Sequence, residues 1–357
     1  MSSAIGDKIK ISVFGESHGE AIGCVIDGLP AGVKLDLDKI YIDMSRRAPG
    51  KDKTATPRLE KDEPHILSGV VDNVTTGAPL CAVIQNTNTK SGDYSNLMSV
   101  PRPSHSDYPA YVKYMGYNDI RGGGHFSGRL TAPLVFAGAV AKQILAQKGI
   151  TVGAHIKQIG KVCDKKANLN DISAKMLNKL TLSNFSLIDE TVENDMRAQI
   201  ESARLNSDSV GGIIECFAVG LPVGIGSNMF DTVEGKLASI LFGVPAVKGV
   251  EFGLGFGFAD KNASQVNDEY EIKDGKVSTL SNNNGGVLGG MTDGAPIAVS
   301  VAIKPTPSIA LKQRSVNLQT MQNEELEIHG RHDPCIVIRA VPVIESAVAL
   351  GLLDLMM

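Results

Sequence analysis

Three loop segments place an imidazole beside carboxylates, hydroxyls or glycines. Gly15–Gly19 reads GESHG after a strand-like run at 8–14, Arg102–Asp107 reads RPSHSD, and Gly330–Pro334 reads GRHDP. A histidine near neutral pH can give a proton to a departing phosphate or balance a bound anion, and a neighbouring carboxylate can fix its tautomer. These spacings therefore indicate acid–base chemistry on an anionic ligand.

Arginine and lysine side chains recur along the chain and could bind that anion. Guanidinium groups present forked donors that match phosphate and carboxylate oxygens. Taken singly, each cation is more simply explained as a solvated surface group, and Arg46 and Arg47 could simply complement the dipole of the helix that they end. The loop Lys304–Ser308 could hold a further phosphate or be an ordinary exit loop. The candidate cations are Arg46, Arg47, Lys53, Arg102, Arg129, Arg331 and Arg339.

Composition and motif content narrow the function classes. The 357-residue chain is 43% hydrophobic and 21% charged, as in soluble globular proteins. Its net charge of −4 argues against a general nucleic-acid-binding surface. It contains no zinc, calcium, P-loop or dinucleotide-binding motif. The five scattered cysteines indicate a reducing cytoplasm, and we expect no export signal, no membrane span and a small-molecule ligand.

Helical patterns precede and follow these loops. Asp36 is predicted to cap a helix that ends at Arg47. A second predicted helix spans 131–148, has Thr131 as its cap and is apolar on nearly every side, which is typical of a helix in the centre of a protein. Residues 164–207 are more polar and less patterned, which indicates a peripheral insertion.

The second half of the chain resembles the first. Residues 17–32 align without gaps on 209–224 with eight of sixteen identical, and 69–79 align on 286–296 with six of eleven identical. Repetition at this spacing predicts two related halves about a pseudo-twofold axis rather than a solenoid. Val210 stands where the first half has His18, so any chemistry there must be asymmetric.

We therefore predict a single α+β domain over residues 1–357. Its architecture would be a β-α-β sandwich with an internal pseudo-twofold duplication, apolar helices in the centre and antiparallel sheets outside. The pseudo-repeats would span about 1–150 and 208–357, with the polar insertion at about 164–207. The site would lie between the two halves.

Five motifs, in this order, resemble those of chorismate synthases: GESHG at 15–19, RPSHSDY at 102–108, RGGG at 121–124, KPTPS at 304–308 and GRHDPC at 330–335. The resemblance covers nearly the full length. It implies a lyase of the shikimate pathway that converts 5-enolpyruvylshikimate 3-phosphate to chorismate and phosphate by a 1,4-anti elimination. It also implies reduced FMN as cofactor, although the reaction has no net redox change, and usually a homotetramer.

Residue roles are implied where the motifs match. His18 would assist phosphate departure as an acid, His105 would lie by N1 and O2 of the flavin, and Asp333 would lie near N5 and help to remove the substrate proton. Substrate anions would be bound by Arg46, Arg47, Lys53, Arg102, Arg129 and Arg339. FMN would be bound by His125, Phe126, Ser127, Ala246, Gly289, Lys304, Pro305, Thr306, Pro307, Ser308 and Arg331.

The chain departs from the family pattern at the proposed flavin wall. Many members read RSSARE after the glycines, whereas this chain reads HFSGRL at 125–130, and Pro245 stands where asparagine is common. A catalytically lapsed member that acts as a flavin- or phosphometabolite-binding module is therefore the alternative function. Since no nucleotide motif is present, NADPH is expected only as an indirect source of reduced flavin, although some family members reduce their own flavin.

Overall fold

The computed structural model describes residues 3–50, 60–87, 99–167, 172–328 and 333–357. In the first half the strands and helices are β1 (Ala4–Ile5), β2 (Lys10–Gly15), β3 (Ala21–Asp27), α1 (Leu37–Arg47), β4 (Pro64–Ser68), β5 (Val70–Val71), β6 (Val74–Thr75), β7 (Leu80–Gln85), α2 (Asp107–Lys113) and α3 (Thr131–Gln147). In the second half they are β8 (Thr151–Ile159), β9 (Val162–Cys163), α4 (Ala174–Thr181), α5 (Glu193–Leu205), β10 (Gly212–Val219), α6 (Val233–Gly243), β11 (Val247–Phe252), α7 (Ala263–Val266), β12 (Tyr270–Lys273), β13 (Lys276–Thr279), β14 (Val287–Leu288), β15 (Met291–Thr292), β16 (Ile297–Ile303), β17 (Gln313–Asn317), β18 (Gln322–Leu326) and α8 (Val337–Met356).

Two five-stranded antiparallel sheets form the outer layers. The first has the strand order β1-β2-β3-β7-β4 and the second β11-β16-β10-β8-β9. Alternate residues of a strand point to opposite faces, and the inward residues of β3 are Ile22, Cys24 and Ile26, all of them buried. The order β2-β3-β7-β4 recurs as β8-β10-β16-β11, so the two sheets share one topology.

The helices α3 and α8 lie in the centre, between the sheets. They pack on each other, while α3 also packs on β3 and β7, and α8 packs on β8 and β10. Both helices are rich in apolar residues, so packing on several sides removes the most apolar surface from water. Among the described residues, one helix, Gly128–Gln147, is long and apolar enough to cross a membrane, and 72% of its most apolar window is buried within the protein.

The two halves repeat turn contacts as well as strand order. The hydroxyl of Thr75 donates to the carbonyl of Pro30 at 2.6 Å, and the hydroxyl of Thr292 donates to the carbonyl of Pro222 at 2.6 Å. These turns belong to the segments that the sequence alignment paired. In addition, α1 packs on α3 as α6 packs on α8. The predicted sandwich of central helices and outer antiparallel sheets is confirmed, while the bounds of the repeats stay a prediction.

Two helices of the predicted insertion lie beside the second sheet. Leu177 of α4 is buried in one cluster with Phe217 of β10. Cys216, the preceding residue of β10, belongs to the central core instead. Because neighbouring strand residues point to opposite faces, α4 covers the outer face of this sheet. The second helix of this region, α5, packs on β8 and β9.

The start of α1 agrees with the sequence prediction and the start of α3 does not. Asp36 accepts hydrogen bonds from two backbone N–H groups of the first turn of α1, at 3.1 and 3.3 Å. The prediction that Thr131 caps α3 is wrong, because its hydroxyl donates to the carbonyl of Gly128 at 2.6 Å. A 3-10 turn over Gly128–Leu130, itself capped by Ser127, precedes α3, so the helix begins from a segment that is already coiled.

A buried group of four charges joins α1 to the central helices. Arg46 donates to both carboxylate oxygens of Glu345 at 2.7 and 2.9 Å, and Lys142 donates to Glu345 at 3.1 Å. Lys142 also pairs with Asp43 at 2.6 Å. Burial raises the pKa of Glu345, but Arg46 and Lys142 lower it more, to about 2. The four charges sum to zero, so removing one leaves its partners uncompensated.

Replacing Glu345 by glutamine would leave Arg46 and Lys142 facing only Asp43. We expect the free energy of unfolding to fall by about 3 kcal/mol, because an uncompensated buried charge is costly. Urea unfolding followed by circular dichroism measures this. Glu190→Gln is the control, because the side chains of the Glu190–Lys179 pair are 67% and 76% exposed and such pairs contribute little. Equal destabilisation by both changes would contradict the prediction.

Candidate active site

The glycine-rich segment Arg121–Phe126 forms a left-handed turn at the centre of the candidate site. Gly122, Gly123 and Gly124 have φ values of 60°, 87° and 53°, which residues with a Cβ rarely adopt. The carbonyl of Gly124 accepts a hydrogen bond from the backbone N–H of Ser17 at 3.1 Å. This bond joins the turn to the GESHG loop that follows β2.

His18 and His105 approach this turn at adjacent glycines. A Cβ on Gly122 would lie 2.2 Å from Cε1 and Nδ1 of His18, so only glycine leaves room for the ring. A Cβ on Gly123 would lie 3.4 Å from Cε1 and Nε2 of His105. His18 is buried, and its Nδ1 lies 3.3 Å from the hydroxyl of Ser17. The turn therefore brings together two imidazoles that are distant in sequence.

A buried aspartate holds His105 and Arg102 together. Nδ1 of His105 lies 2.6 Å from Oδ1 of Asp107, and Arg102 donates to both oxygens of that carboxylate at 2.7 and 2.8 Å. Burial raises the pKa of Asp107, but hydrogen bonds from Arg102 and His105 have the larger, opposite effect and bring it well below its usual range. The ionised carboxylate favours a proton on Nδ1 of His105, and Nε2 then faces the glycine turn.

The loop Lys304–Ser308 contacts the segment that carries His105. Nζ of Lys304 donates to the carbonyl of Ser104 at 2.5 Å, and Arg102 donates to the hydroxyl of Ser308 at 3.2 Å. The backbone N–H of Lys304 donates to the carbonyl of Ala246 at 2.9 Å. Burial and the nearby Lys248 lower the pKa of Lys304. This loop therefore extends the site with a lysine and hydroxyl groups.

Three arginines and Asp333 meet on another side of the site. Arg339 donates to the backbone carbonyl of Arg47 at 3.0 Å and to Oδ2 of Asp333 at 2.8 Å. Arg47 donates to the carbonyl of Gly128 at 3.2 Å, next to Arg129. Burial lowers the pKa of Arg47 to about 10; Asp62 opposes this shift, and the nearby Arg339 and Arg129 add to it. The cluster Arg47, Arg129 and Arg339 thus brings three guanidinium groups together.

Two further predicted residues, Arg46 and Gly289, have partners or neighbours outside the contacts described so far. Arg46 contacts Glu345 in the buried charge group described above, so its guanidinium is engaged between α1 and α8. Gly289 lies in the hairpin turn between β14 and β15, beside the start of α6, where the N–H of Val233 donates to the carbonyl of Gly290. Ala246 follows the end of α6, and a helix of this length spans about 16 Å. The structure therefore does not bring Gly289 to Ala246.

The three residues at 125–127, where the sequence differs from the family pattern, have different surroundings. His125 contacts the hydroxyl of Ser3 at 2.7 Å through Nε2 and the carbonyl of Gly15 at 2.8 Å through Nδ1, so both ring nitrogens are engaged. Phe126 is 37% exposed and packs edge-on against Tyr114. Ser127 accepts a hydrogen bond from the N–H of Arg129. Of the three, Phe126 presents the most open surface.

Two further predicted residues, Lys53 and Arg331, lie outside the residues that the structure describes.

Glu60, Asp62 and Asn86 are site residues that sequence reasoning missed. Asp62 accepts hydrogen bonds from Arg47 and Arg129, and a carboxylate oxygen of Glu60 lies 3.2 Å from Arg129. The amide of Asn86 donates to the carbonyls of Glu16 and Gly19 at 2.9 Å each and accepts from Arg129 at 3.0 Å. The alternation of carboxylates at 60 and 62 before β4 was a signal, but it reads equally well as a solvated charge run.

Replacing Gly122 by alanine would force the His18 ring to move, because the new Cβ would overlap it. We expect the NMR resonance of His18 Hε1 to shift and the protein to lose about 1 kcal/mol of stability from the left-handed backbone. Gly128→Ala, in the 3-10 turn that follows, is the matched control, since a Cβ there meets nothing within 4 Å. An unmoved His18 resonance in the Gly122 variant would contradict this geometry.

The chain matches one family model and is similar to many sequences. The model described as chorismate synthase matches residues 9–357. The chorismate synthase of Dehalococcoides mccartyi (strain BAV1) is 46% identical over 355 residues, covering 99% of this chain and 96% of that protein. The chorismate synthase of Thermococcus kodakarensis is 48% identical over 349 residues, covering 98% and 96%.

A solved structure supports the same relationship. A crystal structure of chorismate synthase superposes with a TM-score of 0.77 at 28% sequence identity, covering 98% of this chain and 92% of that chain. The similarity thus extends over the fold and over nearly all of the sequence, including the loops that carry His18, His105 and Asp333. On these grounds the chain belongs to the chorismate synthase family and is an enzyme of the lyase class.

Proposed function

We propose that this protein converts 5-enolpyruvylshikimate 3-phosphate to chorismate and phosphate, a step of aromatic amino-acid biosynthesis, by a 1,4-anti elimination that requires reduced FMN. One C–H bond and the C–O bond to phosphate break, and one C=C bond forms. The observation that carries the proposal is the convergence of His18 and His105 on the Gly122–Gly123 turn. Family membership supports it over nearly the whole chain.

The departing phosphate needs positive charge and a proton. One side of the site holds the guanidinium groups of Arg47, Arg129 and Arg339, which would bind the substrate anions. His18, held against Gly122, would give the proton to the phosphate oxygen as it leaves. Preformed cations stabilise developing negative charge without reorganisation during the reaction.

The opposite requirement is removal of a proton from an unactivated carbon. Asp333, held by Arg339 at 2.8 Å, is a carboxylate that would receive this proton. His105 is kept with its proton on Nδ1 by Asp107, so Nε2 is the ring atom that would exchange a proton with the cofactor. The Asp333 carboxylate would thus accept a proton, and Nε2 of His105 would give or accept one.

The residues around Lys304–Ser308 fit a flavin mononucleotide. Lys304 and Ser308 supply a cation and a hydroxyl of the kind that hold a phosphate. In the described part of the chain, the hydroxyl of Thr306 is buried and lacks a hydrogen-bond partner, which a ligand would supply. The exposed ring of Phe126 offers a face for an aromatic group. Reduced FMN, when bound, supplies the electron-rich partner that protein side chains lack.

Turnover under anaerobic conditions tests the function. The protein is mixed with 5-enolpyruvylshikimate 3-phosphate and chemically reduced FMN, and chorismate and phosphate are measured against a protein-free control. Equal formation of both products supports the lyase. Binding of flavin or substrate with no product above the control would refute it and favour the alternative, a catalytically lapsed binding module.

His18→Ala should lower turnover by about 100- to 10,000-fold, the usual contribution of a general acid. FMN binding, followed by flavin fluorescence, should stay near the wild-type level because His18 is assigned to phosphate departure. His65→Ala, in the edge strand β4, is the control histidine change and should leave both quantities unchanged. Normal turnover in the His18 variant would remove this residue from the mechanism.

Assembly and flavin supply stay predictions. We propose a cytoplasmic homotetramer, which light scattering of the purified protein would test. NADPH is proposed only as an indirect source of reduced flavin. Oxidation of NADPH by the protein with oxidised FMN alone would contradict that last point.

A further inference from the structure

The carboxylate of Asp62 connects two arginines that come from different parts of the fold. Its side chain has no exposed surface, Oδ2 accepts a hydrogen bond from Arg47, and Oδ1 accepts one from Arg129. Arg47 ends α1, whereas Arg129 lies in the turn before α3. One carboxylate therefore sets the distance between the two guanidinium groups.

Apart from Asp62 and Glu60, the described partners of the two guanidinium groups carry no charge. Arg47 also donates to the hydroxyl of Thr131 and the carbonyl of Gly128, each at 3.2 Å. Arg129 also donates to Asn86 at 3.0 Å and to the carbonyl of Gln85 at 3.3 Å. These partners are neutral, so they orient the arginines without offsetting their charge. The offset comes from Asp62 and, for Arg129, from Glu60 at 3.2 Å.

The charges explain why an anion is needed at this place. Arg47 and Arg129 are both buried, with 4% and 3% of their side chains exposed, and like charges repel strongly away from water. Burial raises the pKa of Asp62, but Arg47 and Arg129 lower it more, so this group stays ionised. Without it the two cations would separate or lose their present orientation.

The backbone at Asp62 gives an independent indication. Its φ is 50°, in the left-handed region that residues other than glycine rarely occupy. Such conformations cost free energy and persist where the surroundings require them, often at functional sites. Here the conformation turns the carboxylate toward both arginines. This backbone conformation thus accompanies the contact with both arginines.

We infer that Asp62 is a positioning residue for the substrate-binding arginines, which sets the spacing at which Arg47 and Arg129 meet the anionic groups of the substrate. This rests on the proposed function. Asp62 itself contacts the arginines rather than the substrate. Its role is therefore distinct from that of His18, His105 or Asp333, and it acts through geometry and through charge.

The variant Asp62→Asn keeps the shape of the side chain and removes its charge. Because geometry and charge change together, two kinetic quantities should move in opposite senses. We expect kcat/KM for 5-enolpyruvylshikimate 3-phosphate to fall by about 100-fold, since misplaced binding groups cost turnover. Inhibition by inorganic phosphate should become stronger by roughly fivefold, because the arginine pair gains one net positive charge and a small anion needs no defined spacing.

Asp43→Asn is the matched control. Asp43 is also a buried aspartate that pairs with two cations, Arg46 and Lys142, but in the group between α1 and the central helices. It should lower stability while leaving kcat/KM and phosphate inhibition unchanged. Glu60→Gln is the second variant in case Asp62→Asn does not fold, and it should strengthen phosphate inhibition with a smaller loss of turnover.

The outcomes separate this inference from the proposed function. If the wild-type protein forms no chorismate, the proposed function fails regardless of Asp62. If the wild type is active and Asp62→Asn behaves like Asp43→Asn, with phosphate inhibition unchanged, Asp62 is only structural and the inference is overturned. Loss of turnover together with tighter phosphate inhibition supports it. If Asp62→Asn does not fold, unchanged phosphate inhibition in Glu60→Gln overturns the inference.

Discussion

The close approach of α3 and α8 is the packing constraint on which the site depends. A Cβ on Gly138 would lie 2.1 Å from Cβ of Ser346, so the two helices touch at a point where only glycine fits. This contact places the beginnings of both helices at one end of the sandwich, where Arg129 and Arg339 both come close to Arg47. The first turns of helices carry partial positive charge, which adds to that of the arginines.

The positive charge at this end is matched by built-in carboxylates. Arg102 is held by Asp107, Arg339 by Asp333, and the pair Arg47 and Arg129 by Asp62. Buried cations without such partners would be unstable before a ligand arrives. The same carboxylates orient the guanidinium groups, so the binding geometry exists in advance. Stability and the proposed anion recognition therefore have a common origin in these pairs.

The internal duplication supplies a symmetric frame that is used asymmetrically. Ser209 and Val210 correspond in sequence to Ser17 and His18. Ser209 donates to the carbonyl of Thr306 at 2.7 Å, and the N–H of Val210 donates to the carbonyl of Pro334 at 2.8 Å. The second copy of the loop thus supports the Lys304–Ser308 loop and the chain beside Asp333. One copy carries His18, and the other contacts the segments beside Lys304 and Asp333.

The sequence by itself determined the layers, the duplication and the Asp36 cap, because periodicity and local backbone preference are properties of short segments. Tertiary structure decided what each charged group meets. Arg46 and Arg47 are adjacent, yet successive helical residues point about 100° apart, so Arg46 faces Glu345 of α8 whereas Arg47 faces Asp62. Sequence reasoning missed Asp62, since its partners Arg47 and Arg129 come from different segments of the chain, which only packing of the whole fold brings together.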